Sequence, residues 1–117
     1  MVISTLRIVS APGSQEAVVR ILAAQLDATR AQPGCLQCDL YQDVADRHIL
    51  SLVEEWESHA ELRLRLASEE YRIVLEAMEL SQEPPEIHFD TVSSRAGLEL
   101  IEAARQECPP GRGASLL

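Results

Sequence analysis

Three breaks, at Pro12-Gly13, Pro33-Gly34 and Pro84-Pro85, cut this chain into segments whose hydrophobic patterns leave few folds open. Proline cannot continue a helix interior or a central strand, and glycine allows the reversal that follows. Ahead of the first break, Val2 to Ser10 is rich in β-branched residues and reads as a strand. After it, Ser14 is placed to cap a helix in which Val18, Ile21, Leu22 and Leu26 follow helical spacing, and Pro33-Gly34 stops that helix. Cys35 to Asp43 and His48 to Trp56 are two strand-like runs joined by Val44-Ala45-Asp46-Arg47, the signature of a hairpin.

Ser58-His59-Ala60-Glu61 then forms a capping box opening a segment with Leu62, Leu64 and Leu66. Ser68 is predicted to cap again, with Tyr71, Val74, Leu75 and Met78 as the inner stripe of a further helical stretch. Beyond Pro84-Pro85, Ile87 to Val92 makes a fourth strand. Leu98, Ile101 and Ala104 mark a short amphipathic helix, and Cys108-Pro109-Pro110-Gly111-Arg112-Gly113 reads as a loose tail. The expected domain is 1–106, with a flexible tail over 107–117.

The order is β-α-β-β-α-β plus a C-terminal helix, an α+β, ferredoxin-like plan in which two helices cover one face of a four-stranded antiparallel sheet. Along the third strand His48, Leu50, Leu52, Glu54 and Trp56 are expected on one face, and Ile49 and Val53 on the other. Strands apolar on both sides, with helices for only one, call for a partner, so a homodimer joined through its sheet faces is expected.

Composition narrows function chiefly by exclusion. With 117 residues the chain can bury one core. Ten arginines against nineteen carboxylates give a net charge of −9, which speaks against nucleic acid or an anionic membrane as partner. Lysine is absent, excluding Schiff-base chemistry and a phosphate-loop lysine; asparagine is absent too. No apolar run approaches the ~18 residues of a membrane span, and Met1 to Arg7 lacks the pattern of a secretory leader. Three cysteines, an odd number, fit a reduced cytoplasmic protein. Cys35 and Cys38, three apart on a strand, are expected on opposite faces and therefore unable to share a metal or a disulfide.

Pro33-Gly34-Cys35, the hairpin, and Glu54-Glu55-Trp56-Glu57-Ser58 with Leu62 and Ser68 resemble the antibiotic biosynthesis monooxygenase (ABM) domain family. Its usual pattern is a Pro-Gly before the second strand and an E-x-W-x-s closing the third, and the resemblance covers roughly residues 1–94. It implies a dimeric α/β barrel with a ligand cavity between sheet and helices in each subunit. Several members oxygenate polycyclic phenols with O₂ and no metal, flavin or haem, so the resemblance implies no cofactor. In an aromatic-polyketide oxygenase of the family, an Asn four residues before the Trp and a Tyr six after it contact substrate. Here those offsets fall on Leu52 and Leu62, and only Trp56 carries over. Many members carry a His on the following helix where this chain has Arg65. Haem-degrading relatives use an Asn on the first strand and a His on a later helix; this chain has no Asn, and Leu75 stands near the His offset.

Each candidate has a plain structural alternative. Trp56 is either a core wall between strand and helix or an aromatic face of the cavity. Glu54 is a general base if desolvated, or a strand-end carboxylate that reaches solvent or pairs with an Arg. Arg65 is a surface charge paired with Glu61 or Glu69, or, by its family position, a cavity group that stabilises an enolate or phenolate. His48 is a further candidate base. Tyr41 is placed at the cavity mouth, and Tyr71 and His88 complete the expected lining. His88-x-Asp90 with His48 is a weak metal pattern, no metal site is assigned, and His59 is expected in solvent. The leading expectation is a cofactor-independent monooxygenase acting on a small aromatic or quinone-like molecule. The alternatives are a non-enzymatic dimeric ligand-binding or regulatory module, and an isomerase on the same fold.

Overall fold

The computed structural model describes residues 1–107, and its elements form where each segment can both bond its backbone and bury one side. Strand β1 (Val2–Val9) leads to helices α1 (Gln15–Ala23) and α2 (Leu26–Arg30). A hairpin of β2 (Cys35–Gln42) and β3 (Ile49–Trp56) follows, then α3 (His59–Ala67), α4 (Tyr71–Glu79), β4 (Glu86–Thr91) and α5 (Leu98–Glu107). The four strands form one antiparallel sheet in the order β2-β3-β1-β4, the expected ferredoxin-like arrangement. Gly13 and Gly34 both take positive φ, +89° and +84°, so both Pro-Gly reversals depend on a residue without Cβ.

Side chains alternate along the central strands, as a period of two requires. Val2, Ser4, Leu6 and Ile8 of β1 are buried, as are Leu50, Leu52, Glu54 and Trp56 of β3. Against them pack Val18 and Leu22 of α1, Leu62 of α3, and Val74 and Ala77 of α4. The other sheet face is uncovered in the single chain, and it is mixed rather than apolar. Antiparallel register aligns His88, Thr5, Val53 and Asp39 in one row and Asp90, Ile3, Glu55 and Gln37 in the next. Arg7 and Ser51 sit in a third row with Tyr41.

Several local expectations are corrected. The first helical segment is two helices: Gln25 N–H turns back to the Leu22 carbonyl, three residues away, and the tightened turn separates α1 from α2. Ser14 precedes α1 but its hydroxyl donates to the Ala11 carbonyl (2.9 Å) and caps nothing. Leu64 and Leu75 stand 73% and 47% exposed, because burial of Leu62 and Arg65 on α3, and of Tyr71, Val74 and Ala77 on α4, turns them outward. A bulge between Cys35 and Gln37 slips the register by one, so Cys35 opposes Trp56 while Cys38 opposes Glu54. Both thiols therefore lie on the helix-covered face, not on opposite faces. The expected tail over 107–117 begins one residue inside α5, and residues 108–117, Cys108 included, lie outside the described residues.

Candidate active site

Glu54 enters the covered side of β3 two residues before the strand ends, where α3 crosses above it. The turn into α3 is fixed by Ser58, whose Oγ accepts from Glu61 N–H (3.4 Å) and donates to the Glu61 carboxylate (3.0 Å). The far end is held by Ser68, whose Oγ donates to the Arg65 carbonyl (2.7 Å) and accepts from Tyr71 N–H (3.3 Å). One serine thus ties together the helix end that carries Arg65 and the helix start that carries Tyr71.

These caps aim Arg65 inward. Its Nε donates to Glu54 Oε1 and its Nη2 to Glu54 Oε2, both at 3.0 Å, the side-by-side pairing that a planar guanidinium favours. Trp56 Nε1 donates to the same Glu54 Oε1 at 3.0 Å. Glu54 and Arg65 are each 2% exposed, so the pair is removed from water. The Arg65 Cζ lies 5.0 Å from the centroid of the Tyr71 ring, a cation–π distance. Arg65 Nη1 is buried and has no partner among the described residues. A buried N–H pair left open in this way is uncommon and calls for an acceptor.

The electrostatics follow from this placement. Burial opposes the charge on Arg65, but hydrogen bonding to Glu54 and its charge outweigh it and raise the guanidinium pKa. Burial, then the charge of Glu54, pushes Tyr71 up to about 12 and Cys38 up to about 12, so both stay protonated near neutrality. Cys35 is raised by the same causes. Glu54 accepts three hydrogen bonds, one from Trp56 and two from Arg65, an arrangement that holds the guanidinium in place.

Of the residues expected at a site, the structure groups Glu54, Arg65, Trp56 and Tyr71, with Leu62 packed against Trp56 and Leu52 in the same core as Tyr71. Three others are elsewhere. Tyr41 is on the uncovered sheet face, 51% exposed, because its neighbours Cys38 and Leu40 take the inward positions. His88 is on that face too, opposite Thr5 on the edge strand. His48 stands just before β3, roughly 20 Å along the strand from Glu54. His59 is exposed and bonds Thr91 Oγ1 at 2.9 Å. Among the described residues no three His, Cys, Asp or Glu side chains converge as a metal site would need.

Two features escaped the sequence. Cys35 shares the covered face with Cys38 because of the bulge, which no residue pattern announced. An open cleft of about 240 Å³ at the opposite end of the sheet is lined by Gly13, Gln15, Glu16, Arg47 and His48, and of these only His48 was expected at a site. The Nδ1 of His48 is buried and unpartnered. Glu54 as the partner of Arg65 was partly legible, since pairing with an arginine was the structural alternative for Glu54.

Comparison with known proteins bears on the same elements. The family described as antibiotic biosynthesis monooxygenase matches residues 1–77, from β1 into α4. The protein PA3566 from Pseudomonas aeruginosa is 30% identical, with a TM-score of 0.70 over 80% of this chain and 94% of its own. Rv0793 from Mycobacterium tuberculosis is 26% identical, with a TM-score of 0.74 over 82% of this chain and 98% of its own. An antibiotic biosynthesis monooxygenase of known crystal structure, 22% identical, shares the fold at a TM-score of 0.72 over 80% of this chain and 100% of its own. No curated protein matches the chain. No helix among the described residues is long and apolar enough to cross a membrane.

Proposed function

The chain belongs to the antibiotic biosynthesis monooxygenase family, and from that premise we propose that it is a cofactor-independent monooxygenase acting on a small aromatic or quinone-like molecule held between sheet and helices. The observation that carries this reading is the open N–H pair of Arg65 Nη1, buried beside Trp56 and Tyr71. A phenolate or quinone oxygen is the acceptor such a pair suits. A fixed cation there favours the ionised phenol, which gives up an electron to O₂ more readily than the neutral form. One oxygen atom enters the ring carbon as a carbonyl and the other leaves as water. The aromatic walls would keep the radical pair dry. In this reading Arg65 stabilises the anion, Trp56 and Tyr71 with Leu52 and Leu62 bound the ligand, and Glu54 positions Arg65. Tyr41, His48 and His88 have no part in it.

The assembly we propose is a homodimer through the uncovered sheet face, in keeping with a family whose members are commonly dimeric. O₂ uptake with a panel of hydroquinones, naphthols and anthrones tests the chemistry. Turnover in the wild type that disappears in the paired variant Glu54→Leu/Arg65→Leu, with the fold kept, is the expected result. A second reading, a ligand-binding module without turnover, is favoured by the complete engagement of Glu54, which leaves no free base. Binding of such aromatics without O₂ uptake would select it, and neither binding nor uptake would end both.

A further inference from the structure

Helix α5 is well formed, yet none of its residues is buried. It has 10 residues, and isolated helices shorter than ~12–15 are marginal in water, so its stability has to come from packing. Leu98, Leu100 and Ile101 are 67%, 60% and 57% exposed. With Ala104 they occupy one side of the helix, with Arg105 between Ile101 and Leu98, while Glu99, Glu102 and Gln106 lie opposite. This is the pattern of a helix made to bury one side, and nothing among the described residues of its own chain covers it.

The residues leading into α5 indicate where the missing surface lies. Val92 N–H bonds the Met1 carbonyl (2.9 Å), and Arg95 Nη2 pairs with Glu55 Oε1 at 3.0 Å. Glu55 lies on the uncovered sheet face, on β3, with β1 between it and β4. Arg95 Nη2 also contacts Met1 Sδ at 3.7 Å, so the segment leading into α5 is held against the Met1 and Glu55 end of that uncovered face. About four fifths of the chain suffices to cover its structural relatives almost whole, leaving a fifth that α5 and the residues after it would account for.

We infer that α5 is a clamp for a second copy of this chain: its Leu98–Leu100–Ile101 side packs on the partner subunit that covers the open sheet face. The inference rests on the proposed sheet-face dimer and adds a second, C-terminal contact to it. Because α5 buries nothing at home, charged substitutions on its apolar side leave the subunit's own fold intact.

Analytical ultracentrifugation and hydrogen exchange of the full chain test it, using Leu98→Asp/Ile101→Asp for the clamp and Val53→Arg for the sheet face. The clamp variant is expected to raise the dimer dissociation constant at least about tenfold, with far-UV circular dichroism losing no more than the helical signal of α5 itself. In the wild type, α5 amides are expected to be protected at dimer concentrations and to lose that protection on dilution. A wild-type dimer whose dissociation constant and α5 exchange do not respond to the clamp variant overturns the inference and leaves the sheet-face dimer standing. A dimer that survives Val53→Arg but not the clamp variant removes the sheet-face reading and overturns the inference as stated, leaving α5 as a dimer contact of another geometry. A wild type that stays monomeric overturns both.

Discussion

Among the described residues two buried side-chain nitrogens go without partners, and they sit at opposite ends of the covered sheet face. Arg65 Nη1 belongs to a closed cluster: a cation fixed by a carboxylate, with an indole N–H on the same oxygen and a phenol ring against its plane. His48 Nδ1 belongs to an open cleft beside the β1–α1 turn, where Arg47 and Glu16 reach solvent. Charges in the first region interact without water between them and hold one another in place. Those in the second are screened, and little depends on any one of them. The difference shows that an unsatisfied nitrogen points to a site when the group bearing it is itself held rigid by buried partners.

The comparison breaks first at Glu54. Glu54→Gln leaves the Arg65 cation buried without a counter-charge, and a loss of about 3–5 kcal/mol is expected in urea unfolding. Glu54→Leu/Arg65→Leu removes both charges and is expected to be milder, about 1–3 kcal/mol, because no charge is stranded and only the buried Trp56 N–H loses its acceptor. Equal losses in the two would mean that the pair is not desolvated as described. Next in size is Trp56→Phe, which keeps the ring but removes the N–H that bonds Glu54 Oε1. A loss of about 1.5–3 kcal/mol is expected from the same measurement.

A third effect depends on pH. Cys38 and Tyr71 ionise at 9.0 and 10.0 in the unfolded chain, and the fold holds each up to about 12. The folded state keeps protons that the unfolded state releases, so their contribution is complete below pH 9 and is lost as pH rises toward 12. Thermal unfolding followed across that range should show the decline, and Cys38→Ala with Tyr71→Phe should flatten it. The smallest effect belongs to the open cleft. His48→Leu breaks no side-chain hydrogen bond through Nδ1, and stability is expected to change by no more than about 0.5 kcal/mol. A larger loss would show that the two ends of the sheet are built more alike than their burial indicates.

By itself the sequence determined the element order, because its signals are local. Pro-Gly pairs set the reversals, and residues such as Ser58 with Glu61 satisfy a helix terminus from three positions away. Alternation along β3 likewise assigned Leu50, Leu52, Glu54 and Trp56 to one face, since a strand has only two. Tertiary structure alone decided what meets across elements. Arg65 had Glu61 on its own helix and Glu69 just past that helix's end, yet it pairs with Glu54, because packing turned that side of α3 toward the sheet and away from water. A one-residue bulge brought Cys35 and Cys38 to the same side, and Tyr41 faces the other way because Cys38 and Leu40 take the inward positions. Spacing along a chain fixes which way a side chain points from its own element; which partner waits there, and whether water is excluded between them, is set only when the elements pack.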